Sequence, residues 1–117
     1  IGIHRIDAEV AADDAARIVG LMGRKTLFHN EGMLFVFPGS GKRCMWMRNT
    51  WIPLSVAFIN ESGTIINIED MAPQTDESHC SNRPARYALE MNQGWFRSRG
   101  IRPGMKITGI EKAPAPH

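Results

Sequence analysis

The sequence predicts a mainly β (α+β) domain: a small β-barrel or sandwich-like fold of about seven short strands with one N-terminal helix packed on it. Two observations carry this expectation. Short apolar or alternating runs recur along the chain, separated by turn-forming residues at intervals of roughly 8–12 residues, which is the spacing of all-β domains. Only one stretch, near the start, has the 3.6-residue periodicity of an amphipathic helix.

Residues 1–10, "IGIHRIDAEV", alternate loosely and read as a first strand. In "AADDAARIVGLMGRKTL", Asp13 or Asp14 can cap a helix by accepting hydrogen bonds from first-turn amides. Ala15, Ile18, Val19 and Met22 follow at the spacing of one apolar stripe. Gly20 then lies inside the helix at a cost of about 1 kcal/mol relative to Ala, which a close backbone approach would justify. Gly23, with Arg24 and Lys25 after it, marks the expected helix end. "GMLFVF" at 32–37 reads as a buried strand closed by the turn Pro38–Gly41, and "RCMWMRNT" at 43–50 as the next strand. "LSVAFIN" at 54–60 and "TIINIED" at 64–70 flank the hairpin turn "ESG". Residues 71–84 form a long polar loop, a length at which loops are often functional. "ARYALEM" at 85–91 alternates, with Tyr87, Leu89 and Met91 on one face and Arg86, Ala88 and Glu90 on the other. "GWFRSRGI" suggests a short helical turn and "MKITGIEK" a last strand. Residues 1–112 therefore read as a single domain, and "APAPH" at 113–117 as a disordered tail.

The chain has 117 residues, the length of one domain able to hold a core without staples. Fourteen basic and twelve acidic residues are interleaved, so there is no clustered basic face and no nucleic-acid partner is expected. No apolar run reaches the roughly 18 residues of a membrane span. The chain opens at Ile1 rather than at a methionine, as a processed or trimmed product would. Cys44 and Cys80 allow one disulfide, but spacing alone does not place their Cα atoms within bridging distance.

Four blocks stand in one order: "GLMGRKTL", "EGMLFVF", "WMRNTWIPL" and "ARYALEM", with glycines and "GI..G" beyond. Together they resemble the bacterial and archaeal family of domain of unknown function 192 over about residues 3–110. The resemblance implies a compact β-rich single domain, often exported behind a signal peptide, and hence a periplasmic or secreted location. It implies no particular chemistry. Two departures stand out: Ser55, where the family often carries an acid, and Cys44-Met45, where aromatic or aliphatic residues are expected.

The run "CMWMRNTWIPL" at 44–54 invites a soft-metal reading, since thioethers and imidazoles select Cu(I). On a strand, however, Met45 and Met47 share one face while Cys44 and Trp46 share the other, so the four cannot converge. A Cu(I) site would need Met45 and Met47 with His79 or His4; otherwise the methionines fill the core. The leading expectation is a cleft lined by "WMRNT" and "ARYALE". Trp46 and Trp51 would supply its apolar area, and Arg48, Asn49, Thr50, Arg86 and Glu90 its polar contacts. Asn49 and Thr50 could equally satisfy backbone groups at a strand end. A cross-strand Arg48–Glu90 pair is the expected ion pair; partly buried, it would shift Glu90 and make it a candidate acid or base.

His79-Cys80 in "DESHC" suggests a thiol nucleophile, although no glycine-framed turn surrounds it and the spacing of structural zinc sites is absent. "GLMGR" is no phosphate loop, because its glycines end a helix rather than begin one; Arg24 reads as a helix-end cation. The sequence thus predicts a monomeric, non-enzymatic binding or interaction module for a small molecule or protein, with no cofactor. A hydrolase or transferase using Glu90 or Cys80 is one alternative, and a Cu(I)-binding protein is the other.

Overall fold

The computed structural model describes residues 6–110. Its elements, in chain order, are β1 (Asp7–Ala11), α1 (Asp14–Val19), β2 (Glu31–Gly41), β3 (Cys44–Met45), β4 (Leu54–Ile59), β5 (Ile65–Met71), β6 (His79–Cys80), β7 (Ala85–Asn92) and α2 (Trp95–Ser98). Five strands form one sheet in the order β1-β2-β7-β4-β5, and β3 pairs with β6 in a separate ribbon. β1 runs parallel to β2; every other pairing is antiparallel. The mainly β expectation holds. The sheet is open, with β1 and β5 at its ends, and does not close into a barrel.

Alternation along each strand divides the side chains between two cores. On one face Leu34, Val36, Ala57, Ile59, Leu89 and Met91 pack beneath Trp95 and Phe96 of α2 and beneath Ile101, Ile107 and Ile110. On the other, Met33, Phe35, Leu54, Val56, Phe58 and Ala88 are covered by Leu21, Met47 and Ile52 from the connecting segments. β4 lies between β7 and β5 in the order and is buried at all six positions. That two-sided cover explains why its sequence reads as a nearly continuous apolar run.

The first helix begins as expected: Asp13 accepts from the Ala16 N–H at 2.7 Å. It is, however, only six residues long, and none of them is buried. It ends at Gly20 rather than at Gly23, with Gly20 at φ +50°, a conformation that suits glycine. A Cβ there would meet the Phe35 ring at 3.2 Å, so the chain does approach closely at this point. Ile18 and Val19 are correspondingly 69 % and 55 % exposed and do not form a core-facing stripe. Arg24 lies beyond the helix and pairs with Glu9 of β1 through both guanidinium nitrogens, so it is not a helix-end cation.

β2 runs through the expected turn and reaches Gly41, with an irregularity in its pairing to β7 between Val36 and Gly41. The expected strand over 43–50 is cut to two residues. The Thr50 N–H donates to the Met47 carbonyl at 3.1 Å, with Asn49 at φ +57°, so the chain turns there. The polar loop instead supplies β6. The expected last strand shrinks, among the described residues, to a single bridge between Thr64 and Lys106. The start of the expected first strand, residues 1–5, and the end of the chain from 111 onward, with the expected tail, lie outside the described residues. The hairpin turn at 61–63 forms as expected, with Asn60 Oδ1 accepting from the Ser62 and Thr64 amides.

Candidate functional site

A cavity of about 460 Å³ lies between the α1–Gly20 segment, β2, β3 and the 46–50 turn. Glu90 of β7 belongs to its wall, together with Phe35, Phe37, Met45 and the exposed pair Ile18 and Val19. Pleat alternation puts Glu90 on the Ala88 side of β7, where its cross-strand neighbours are Met33 and Val56. Neither can hydrogen-bond a carboxyl. Glu90 is 3 % exposed, and neither a hydrogen bond nor a charge from the described residues contributes to the state of its carboxyl. Burial alone pushes it up to about 8, so at neutral pH it is a neutral acid able both to donate and to accept.

Four of the sequence candidates, Trp46, Arg48, Thr50 and Glu90, are brought together around this cavity. The expected Arg48–Glu90 pair does not form. Arg48 Nε instead donates to Asp76 Oδ1 at 3.0 Å, and its guanidinium lies 4.8 Å from the Trp46 ring centroid. Thr50 is buried and donates from Oγ1 to the Arg48 carbonyl at 3.4 Å. The other three candidates are not in the wall. Asn49 occupies the turn, where its carbonyl accepts from the Gly23 N–H at 2.9 Å. Trp51 is 59 % exposed elsewhere on the surface. Arg86 donates to the Phe37 carbonyl and stands 3.6 Å from Glu61.

The sulfur residues are also placed differently from a strand reading. Cys44 and Cys80 oppose one another in the β3–β6 ribbon and form a disulfide. Cys80 therefore has no thiolate to offer, and the nucleophile hypothesis for it is withdrawn. Met47 is fully buried in the core, and Met45 packs against that same core opposite His79. His79 Nδ1 is 4.0 Å from Glu69 Oε1, while its Nε2 is buried without a partner. Both methionines are thus engaged in packing rather than presented as a pair; His4 lies outside the described residues.

Two wall residues escaped the sequence reading. Arg17, on the last turn of α1, donates to the Val36 carbonyl at 2.8 Å and to Asp14. Arg43 precedes β3, donates from Nη2 to the Gly39 carbonyl at 2.6 Å and lies 4.4 Å from the Phe37 ring centroid. Burial first, then the positive charges of Arg17 and Arg86, hold its guanidinium below the usual arginine range. A single arginine beside Lys42 forms no motif.

Among proteins with curated descriptions, none matches the chain. Similar solved structures include two crystal structures. One, from Sinorhizobium meliloti 1021, is described as a "putative transcription regulator"; it is 38% identical, with a TM-score of 0.86 over 88% of this chain and 81% of its own. The other, a protein of unknown function from Novosphingobium aromaticivorans DSM 12444, is 33% identical, with a TM-score of 0.84 over 86% of this chain and 73% of its own. The model of the family DUF192, described as "Uncharacterized ACR", matches residues 1–109, and the chain belongs to that family.

Proposed function

We propose that the protein is a small non-enzymatic binding module that takes a small molecule into the cavity beside Glu90. The observation that supports this most is Glu90, a residue 3 % exposed whose carboxyl is shifted by burial with no hydrogen bond or charge from the described residues to offset it, set in the wall of a cavity of about 460 Å³. A buried polar group without a partner is costly, and a ligand that completes its hydrogen bonds recovers part of that cost. Aromatic and aliphatic walls with a few polar groups are the usual make-up of a ligand site. The disulfide supports placing the protein in an oxidising compartment, periplasmic or secreted, where such bonds persist. No helix of the described residues is long and apolar enough to cross a membrane. In this reading the protein acts as a monomer. The description of the Sinorhizobium protein is compatible with a ligand-sensing role but supplies no ligand.

A fragment screen followed by amide chemical-shift mapping tests the proposal. Bound fragments are expected to shift the amides of Trp46, Thr50 and Glu90, and Glu90→Leu is expected to abolish those shifts. Fragments that bind only elsewhere, or none at all, would refute it.

A second reading rests on the same residue. A carboxyl raised to about 8 is tuned for general acid–base work near neutral pH, as a hydrolase or transferase would require. That reading predicts turnover with an alkaline limb near 8 that Glu90→Gln removes; turnover surviving Glu90→Gln eliminates it.

A further inference from the structure

Three guanidiniums stand in the cavity wall, and two have acids beside them. Arg17 Nη2 is 2.8 Å from Asp14 Oδ1, and Arg48 Nε is 3.0 Å from Asp76 Oδ1. Arg43 has no carboxylate among the described residues. Its Nε is buried without a hydrogen-bond partner, although a guanidinium presents five N–H donors. The group is nevertheless held in place, by the Gly39 carbonyl on one nitrogen and by its position over the Phe37 ring. The positive charges of Arg17 and Arg86 act against its own.

A partly desolvated, fixed cation among like charges sets the sign of what the cavity can take. An anion supplies an acceptor and relieves the repulsion, whereas a cation adds to it. Across the wall, Glu90 is neutral near pH 7 and does not oppose an anion. Asp14 is the one other carboxylate of the wall; its side chain is 93% exposed and turned to Arg17. Between these polar points the surface is Phe35, Phe37, Met45 and Ile18. We infer that the cavity recognises a small apolar molecule bearing one anionic group, a carboxylate or a phosphate, with Arg43 as the anion's partner and Glu90 as a hydrogen-bond donor to the ligand. This rests on the cavity being a binding site.

Four probes with the same aromatic body test it on the full chain by calorimetry: phenylacetate, phenyl phosphate, phenylacetamide and phenethylammonium. At least one anion is expected to bind about tenfold or more tighter than the amide, with the ammonium weakest; the better anion names the headgroup. Arg43→Met is expected to weaken that anion by about 10- to 100-fold, the loss of one charge-assisted contact, and to leave the amide unchanged. Arg43→Lys should recover part of the loss. The anion-to-amide ratio of the wild type needs no variant, so it decides the matter even if Arg43→Met fails to fold. An amide or ammonium that binds as tightly as the anions overturns the inference and leaves the binding reading standing. Probes that all fail while fragments still map to the cavity also overturn it; an empty fragment screen overturns the reading beneath.

Discussion

Arg48 reaches across 28 residues of sequence to Asp76, and its guanidinium covers the Trp46 ring at 4.8 Å. Both partners are more than half exposed, so the pair contributes at most about 1 kcal/mol. Its importance is positional, because it occupies the one arginine of the 46–50 turn and leaves Glu90 without a counter-ion. Asp76→Asn should therefore change thermal stability by less than about 1 kcal/mol. A large loss measured by chemical denaturation would mean that the pair organises the cavity wall.

Glu90 makes stability depend on pH in a predictable direction. Its folded-state pKa of about 8 lies above the ordinary value of 4.5, so the folded protein holds its proton longer than the unfolded chain does. The resulting stability is fully present below about 4.5 and is lost progressively as pH rises to about 8, a total on the order of 5 kcal/mol. Glutamine does not titrate. Glu90→Gln should therefore be clearly more stable than the wild type at about pH 8 and close to it at about pH 5. Melting temperatures measured across this window check it; a difference that stays constant with pH contradicts it.

The Cys44–Cys80 bond closes a loop of sequence separation 36, which in the chain-entropy account stabilises the fold by about 4 kcal/mol. Apart from it, the β3–β6 ribbon consists of only two residue pairs. Replacing both cysteines by serine should lower the unfolding free energy by about 3–4 kcal/mol. It should also speed hydrogen exchange at Met47 and Ser81, whose amides donate to Thr75 and Arg43 around the ribbon. Unchanged exchange at these two amides would show that the ribbon holds without its covalent link.

Ser55 links three elements. Its hydroxyl donates to Asp70 Oδ1 at 2.7 Å across the β4–β5 pair and accepts from the Gly94 N–H at 3.0 Å, while the residue is 1% exposed. The Ser55 hydrogen bond, ahead of Arg97, holds the Asp70 carboxyl below its usual range. Ser55→Ala leaves the Gly94 N–H unpaired at the start of α2 and should cost about 1–3 kcal/mol near neutral pH. Asp70 contributes stability above its ordinary value of 3.8 and loses it as pH falls through the lower folded value. The deficit of Ser55→Ala should therefore shrink in acid, as urea titrations at neutral and acidic pH would reveal.

Elements governed by neighbouring residues were legible in the sequence. Asp13 caps α1, the hairpin turns at 61–63 and β7 sends Leu89 and Met91 to one core and Ala88 to the other, because each depends on contacts within a few positions. The run at 43–50 misled because its alternating sulfur and aromatic residues imitate a strand, whereas Asn49 adopts a left-handed turn that few side chains tolerate. Ile18 and Val19 have helical spacing, but six residues present too little surface to reach a core, so they border the cavity instead. The Arg48–Asp76 pair, the disulfide and the isolation of Glu90 join segments far apart in sequence, and no local pattern encodes them. Of the candidate site, Trp46, Arg48, Thr50 and Glu90 could be named in advance, whereas Arg17 and Arg43 could not.

The central feature of the site is Glu90 as a neutral, unpaired acid in the cavity wall. Carbon-13 NMR of the Glu90 carboxyl, followed through a pH titration of the ligand-free protein, measures this directly. A midpoint of about 8 is the predicted result. A midpoint near 4.5 would place the carboxyl in water or beside a cation, and would contradict the site described.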